Sequence, residues 1–187
     1  DKPIVAGTDY NEYGSLNVAK KVILNTTDAT ASIPTEKFDF TVKFDFPEGT
    51  DKDTLGGVKD KDGKGVTITN GETKFQLAHD ENMKFTGLPV GTTITVTEAA
   101  KANYKASAKV TLNGVVQTPA VAASKYNAAL TEVDQQKLGQ NKNTVDVTNR
   151  FNNVPTTGII MNTLPYVLMI ALCGAALFGF VAFKRRR

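Results

Sequence analysis

Cysteine is almost absent from this chain: its 187 residues contain one, Cys173, set in an apolar stretch near the C-terminus. The polar remainder therefore has no disulfide and no thiolate metal centre. Histidine is as scarce, since His79 stands alone between Ala78 and Asp80 in a turn-like context. That excludes His-based metal ligation and nucleophile–base pairs as candidate chemistries. Positive charge is also in short supply outside the tail. The net charge of +3 includes Lys184, Arg185, Arg186 and Arg187, so residues 1–183 sum to about −1 with both signs interspersed. Nucleic acid is not an expected partner. No glycine-rich phosphate loop occurs. The run Asp60-Lys61-Asp62-Gly63-Lys64-Gly65 has a passing likeness to a calcium loop but lacks the further oxygen donors and closing acid, and it reads as a hairpin turn. No metal, no cofactor and no enzymatic turnover are expected. A starting methionine and an apolar export segment are missing too, so the numbering is expected to begin after a signal peptide or within a longer protein.

What the chain does have is one long apolar run. Leu164 to Phe183 reads LPYVLMIALCGAALFGFVAF, twenty residues without a charge, enough at helical rise to cross a bilayer. The basic residues 184–187 follow at once, which places the C-terminus in the cytoplasm and the larger part of the chain outside. Just upstream, within residues 153–163, stands Val154-Pro155-Thr156-Thr157-Gly158. Pentapeptide, apolar span and basic tail in this order resemble the LPxTG-type sorting signal read by sortase transpeptidases, with Val154 where Leu is usual. The resemblance implies cleavage between Thr157 and Gly158, transfer of the Thr157 acyl group to an amine, and loss of everything from Gly158 onward. The membrane is then only a transient anchor.

Residues 15–152 are rich in Thr, Val, Lys, Asp and Gly, and they alternate as strands do. Strand signals fall at about 15–24, 37–46, 56–59, 66–70, 73–78, 82–87, 92–98, 103–112 and 144–151. KFDFTVKFDF puts Phe38, Phe40, Val42, Phe44 and Phe46 on one face, a core strand. Leu16, Val18, Val22 and Leu24 share a face with Lys20, which directs Lys20 inward and Lys21 to solvent. Ile94 and Val96 share a face with Glu98, and Val145 and Val147 share one with Asn149. Three reactive polar groups thus lie on core faces of three strands. Taken singly, each has an ordinary reading: a lysine snorkelling at a strand edge, a capping glutamate, an asparagine opening a turn.

The stretches LNVAKKV, FTGLPVGTTITVTE and VDVTNRF resemble the CnaB-type, Spy-pilin-like domains of Gram-positive surface proteins, which form an internal Lys–Asn isopeptide bond. The resemblance covers most of residues 15–152 and implies an all-β, immunoglobulin-like sandwich. It makes Lys20 the amine, Asn149 the carboxamide that the amine attacks and Glu98 the acid that relays protons as ammonia leaves. Burial fits this role, because it disfavours both charged forms and leaves a neutral, nucleophilic amine beside a protonated acid.

The expected organisation is a linker or remnant of an upstream domain at 1–14, the sandwich at 15–152, the sorting segment at 153–163, a transmembrane helix at 164–183 and a basic tail at 184–187. Residues 118–140 lose the alternation and carry Ala, Leu and Gln at helix-compatible spacing, so they are expected to form a partly helical insertion. Two functional classes follow from the resemblance. In one the chain is a pilin subunit whose Thr157 is joined by sortase to a lysine of the next subunit. In the other it is a wall-anchored adhesin or stalk, joined to peptidoglycan and, as an adhesin, facing host surface molecules. The exposed lysines are many, Lys59, Lys61, Lys64 and Lys125 among them, and no pilin lysine motif such as YPKN singles one out.

Overall fold

The computed structural model describes residues 13–26, 28, 30–49 and 57–152. The chain divides into two units, Asp1–Asn153 and Val154–Arg187. Within the first, the described residues form ten strands in two sheets that face each other across one core, and their fully buried apolar side chains lie between Leu16 and Val147. The first unit therefore carries a core of its own.

The larger sheet runs β4 (Asn82–Pro89), β1 (Tyr13–Leu24), β10 (Thr144–Phe151), β6 (Tyr104–Leu112) and β7 (Val115–Val116), with β8 (Val121–Ala122) also paired to β6. The facing sheet runs β3 (Glu72–Leu77), β2 (Phe38–Asp45), β5 (Thr93–Glu98) and β9 (Leu130–Lys137). All pairs are antiparallel except one. β1 and β10, the first and last strands, lie parallel, with Lys20 opposite Val147 and Val22 opposite Asn149. A parallel pair needs a long crossover, and here nearly the whole domain serves as that crossover.

Alternation builds the core directly. Phe38, Phe40, Val42 and Phe44 of β2 are buried, while Asp39, Lys43 and Asp45 between them are exposed. Phe44 meets Phe85 edge-on at 5.5 Å between ring centres, and Phe75 stacks on Phe40 at 5.6 Å. The Phe44–Phe85 contact bridges the two sheets and the Phe40–Phe75 stack joins β2 to β3 within one of them, each at modest extra gain over burial alone.

Three expectations need correction. Residues 118–140 contain no helix; they form β8, a turn and β9. The spacing that looked helical comes from two irregularities in the β5–β9 ladder. Val96 pairs with Val133 and Glu98 with Leu130, so two residues on β5 span three on β9, and the same mismatch recurs between Ile94 and Val96. Each extra residue turns a two-residue period into three, which brings Leu130 and Val133 to the same buried face. Residues 57–59 and 66–70 pair only through isolated bridges rather than as strands. Finally, β1 begins at Tyr13, two residues earlier than the periodicity indicates. The expected transmembrane helix at 164–183 and the sorting segment lie outside the described residues. Among the described residues no helix is long and apolar enough to cross a membrane.

Gly87 in β4 has φ +75°, and a Cβ there would come 2.7 Å from the Gly57 carbonyl oxygen. Gly87→Ala should therefore lower the unfolding free energy by at least about 2 kcal/mol, from left-handed backbone strain plus the clash. Gly65 has open space around it, so Gly65→Ala is the near-neutral control. Urea denaturation of both variants measures the difference.

Candidate functional site

Lys20 is the one lysine of the described residues that is fully buried, at 2 % exposure, because strand alternation in the middle of the larger sheet leaves its side chain no route to water. Lys21, next to it, faces outward and pairs with Asp80 at 2.8 Å. Asn149 (1 % exposed) projects inward from β10, two register positions along the same parallel pair. Glu98 (1 % exposed) enters from the opposite sheet, where β5 holds it between Phe40 of β2 and Leu130 of β9.

The three side chains close a triangle. Lys20 Nζ donates to Glu98 Oε2 at 2.5 Å and lies against Asn149 Oδ1. Asn149 Nδ2 donates to Glu98 Oε1 at 2.8 Å. One carboxyl group thus bridges the amine and the carboxamide, using a separate oxygen for each. Phe38 walls the site, its ring centre 3.6 Å from Nζ, with Phe40 further off at 5.7 Å. Phe38 is braced edge-on by Tyr104, whose hydroxyl donates to Glu36 at 2.6 Å. Burial and that hydrogen bond push the Tyr104 phenol upward.

Burial is the largest influence on the Lys20 amine and outweighs the attraction of Glu98, lowering its pKa from 10.5 to about 8. At pH 7 roughly a tenth of such an amine is neutral, against about one part in three thousand for an ordinary lysine. The site therefore combines an amine that is readily neutralised, a carboxamide in contact with it, and one carboxyl group touching both.

Sequence alternation placed these three residues on core faces; the fold brings them into one cluster. Phe38 was legible only as a core residue; that it walls the site, and that Tyr104 of β6 braces it, depends on packing between the two sheets. Asn143 was missed altogether. Its buried carboxamide accepts from Asn113 N and Gly139 N and donates to Ser15 O and Gly139 O, tying the entry of β1 to two loops. His79 Nδ1 accepts from Val22 N at 2.9 Å, extending the ladder on β1 past the end of β4. Asp60 Oδ1 accepts from the backbone of Asp62 and Lys64, so the calcium-like run is a turn held by its own carboxylate. Among the described residues no group of three or more His, Cys, Asp or Glu side chains could hold a metal ion. Val154, Pro155, Thr156, Thr157 and Gly158 lie outside the described residues.

Two facing sheets, the larger one holding the first and last strands side by side in parallel, make a β-sandwich. The fold is similar to the major pilin protein T3.2 from Streptococcus pyogenes, at TM-score 0.53 and 24 % identity, over 75 % of this chain and 46 % of that one. It is likewise similar to the T-13 major pilin protein of the same organism, at TM-score 0.51 and 21 % identity over 75 % and 46 % of the two chains. A third major pilin from Streptococcus pyogenes gives 0.50 and 20 %, over 75 % and 48 %. The chain thus spans about half the length of these pilins, and the likeness is one of fold. By sequence, residues 14–151 match the family described as a domain of unknown function, DUF7601, and the chain belongs to that family. No curated protein matches it.

The depressed Lys20 amine has a consequence for stability whenever Asn149 cannot react with it. Because the folded pKa lies below the unfolded value, the unfolded chain binds more protons between about pH 8 and 10.5, and stability rises with pH there. In an Asn149→Ala chain the unfolding free energy should increase by about 2–3 kcal/mol from pH 7.5 to pH 10. Denaturant titrations across that range measure it, and a flat or falling profile would contradict a buried, easily neutralised Lys20.

Proposed function

We propose that this chain is a structural subunit of a Gram-positive surface pilus, stiffened by an isopeptide bond between Lys20 and Asn149. The observation that carries this reading is the buried triangle of Lys20, Glu98 and Asn149 between the first and last strands. The pilin-like fold supports it independently. In the reaction, neutral Lys20 Nζ attacks Asn149 Cγ. The new N–C bond forms, the Cγ–Nδ2 bond breaks, and one ammonia leaves. Glu98 relays the proton, Oε1 giving one to Nδ2 as Oε2 gains one from Nζ, the two groups that its two oxygens already touch. Packing supplies the encounter that would otherwise be bimolecular, and no cofactor enters. The chemistry occurs once per chain, so the protein is its own substrate and not an enzyme in the turnover sense.

The bond would close a loop across 129 residues of sequence separation. On the loop-entropy model that is a contribution of about 5 kcal/mol. For a domain outside the cell without cysteine, it would take the place of a disulfide.

The C-terminal residues fit the same reading. Val154–Gly158 would be the sortase motif, 164–183 the span that holds the precursor in the membrane, and 184–187 the stop on its cytoplasmic side. Thr157 would end joined to a neighbouring subunit. The second reading, a wall-anchored adhesin or stalk with Thr157 joined to peptidoglycan, shares the same domain and the same anchor.

Intact mass of the Asp1–Asn153 unit tests the crosslink. The parent should fall short of its calculated mass by one ammonia, while Lys20→Ala, Glu98→Gln and Asn149→Ala should each show full mass. A parent at full mass removes the isopeptide assignment. Immunoblots of cell-wall extracts separate the two classes: a detergent-resistant ladder is expected for a polymerised pilin, and a single anchored species would favour the adhesin or stalk.

A further inference from the structure

The outer face of the larger sheet carries an arrangement that neither the crosslink nor the core requires. Arg150 of β10 and Lys105 of β6 are direct register partners. Their neighbours Asn149, Tyr104 and Ala106 are buried, so both cations stand on the solvent face. Like charges directly opposite each other on neighbouring strands repel, and their Cβ atoms are only about 5 Å apart. A sheet usually relieves such a pair with a nearby carboxylate. Here neither cation forms an ion pair among the described residues, where the lysines that do so are Lys20, Lys21, Lys74 and Lys101.

The pair does not project from a flat surface. It borders a cleft of about 340 Å³ whose floor includes Ser107 and Thr148, one register row further along the same two strands. Ile23, the register partner of Arg150 on β1, and Tyr126 also line it. Among the described residues that line the cleft, none carries a carboxylate. The Ser107 and Thr148 hydroxyls, like the two cations, have no side-chain partner among the described residues. Lys21, in the row of Thr148, is by contrast neutralised by Asp80.

We infer that this cleft binds a tetrahedral oxyanion, a phosphate or sulfate group, held between Arg150 and Lys105 and by the hydroxyls of Ser107 and Thr148. A guanidinium fork, an ammonium and two hydroxyl donors around one space match the several acceptor oxygens of such a group better than the single plane of a carboxylate. The anion would also remove the repulsion that the empty pair sustains. Tyr126 and Ile23 leave room beside the anion for the carbon part of an ester. The cleft shares no residue with the Lys20 site, and its chemistry is independent of the crosslink.

The test uses the Asp1–Asn153 unit and three probes: inorganic phosphate, glycerol 3-phosphate and acetate, each against sodium chloride of matched ionic strength. Phosphate and the ester should shift the backbone amide resonances of Ser107, Thr148 and Arg150 saturably, with acetate several-fold weaker. A stronger response to glycerol 3-phosphate than to phosphate identifies an esterified ligand; the reverse identifies the free ion. At roughly ten times its dissociation constant the bound anion should raise the thermal midpoint by about 3–5 °C. Arg150→Gln should abolish both effects, and without anion it should melt about 2 °C higher than the parent, because the repulsion is gone. Shifts that rise without saturation, that match acetate or chloride, or that survive in Lys105→Gln and Arg150→Gln would overturn the proposal. So would an Arg150→Gln chain that melts lower than the parent without anion, since that would make Arg150 a structural residue.

Discussion

Lys20 carries an amine into the centre of a dry core, where an isolated charge would be severely penalised, and the strands around it are arranged to answer that cost. Glu98 comes from the facing sheet and Asn149 from the parallel neighbour, so the cluster joins both layers and both ends of the domain. Removing either partner would leave buried polar groups without hydrogen bonds, which costs more than the pair contributes when intact. The register of β1 on β10 and of β2 on β5 is therefore constrained twice, once by apolar packing and again by this polar contact.

A buried ion pair is a weak source of stability, because desolvating two charges offsets most of their attraction. Lowering the Lys20 pKa to about 8 is one partial answer, since the amine then gives up its proton readily. Conversion of amine and carboxamide into one amide would be a complete answer, replacing a chargeable group with a neutral one already matched to its surroundings. On the reading proposed above, the same burial that makes Lys20 costly as a cation makes it reactive as an amine. Structural cost and chemical function are then two aspects of one placement.

The outer face obeys a different rule. Water solvates Lys105 and Arg150, so their repulsion is small and the fold tolerates it, just as it tolerates the exposed Val115 and Val116 at the sheet edge. What sets the cleft apart is the coincidence of opposed cations, unpartnered hydroxyls and a concave wall. No single strand displays that combination, for its members come from β1, β6, β10 and the β8–β9 connection.

Alternation is a local property, and it alone determined that Lys20, Glu98 and Asn149 share faces with apolar neighbours and that Phe38 to Phe44 form a core strand. The all-β class followed from the same two-residue period. Where the period broke, local reading failed: the bulged β9 looked helical because an extra residue on one strand is visible only against its partner. Whether three inward polar groups meet, which residues wall them, and which cations face each other across strands all depend on register between segments up to 129 residues apart. Tertiary packing decided those, because register is set by the fit of whole faces and not by any one segment.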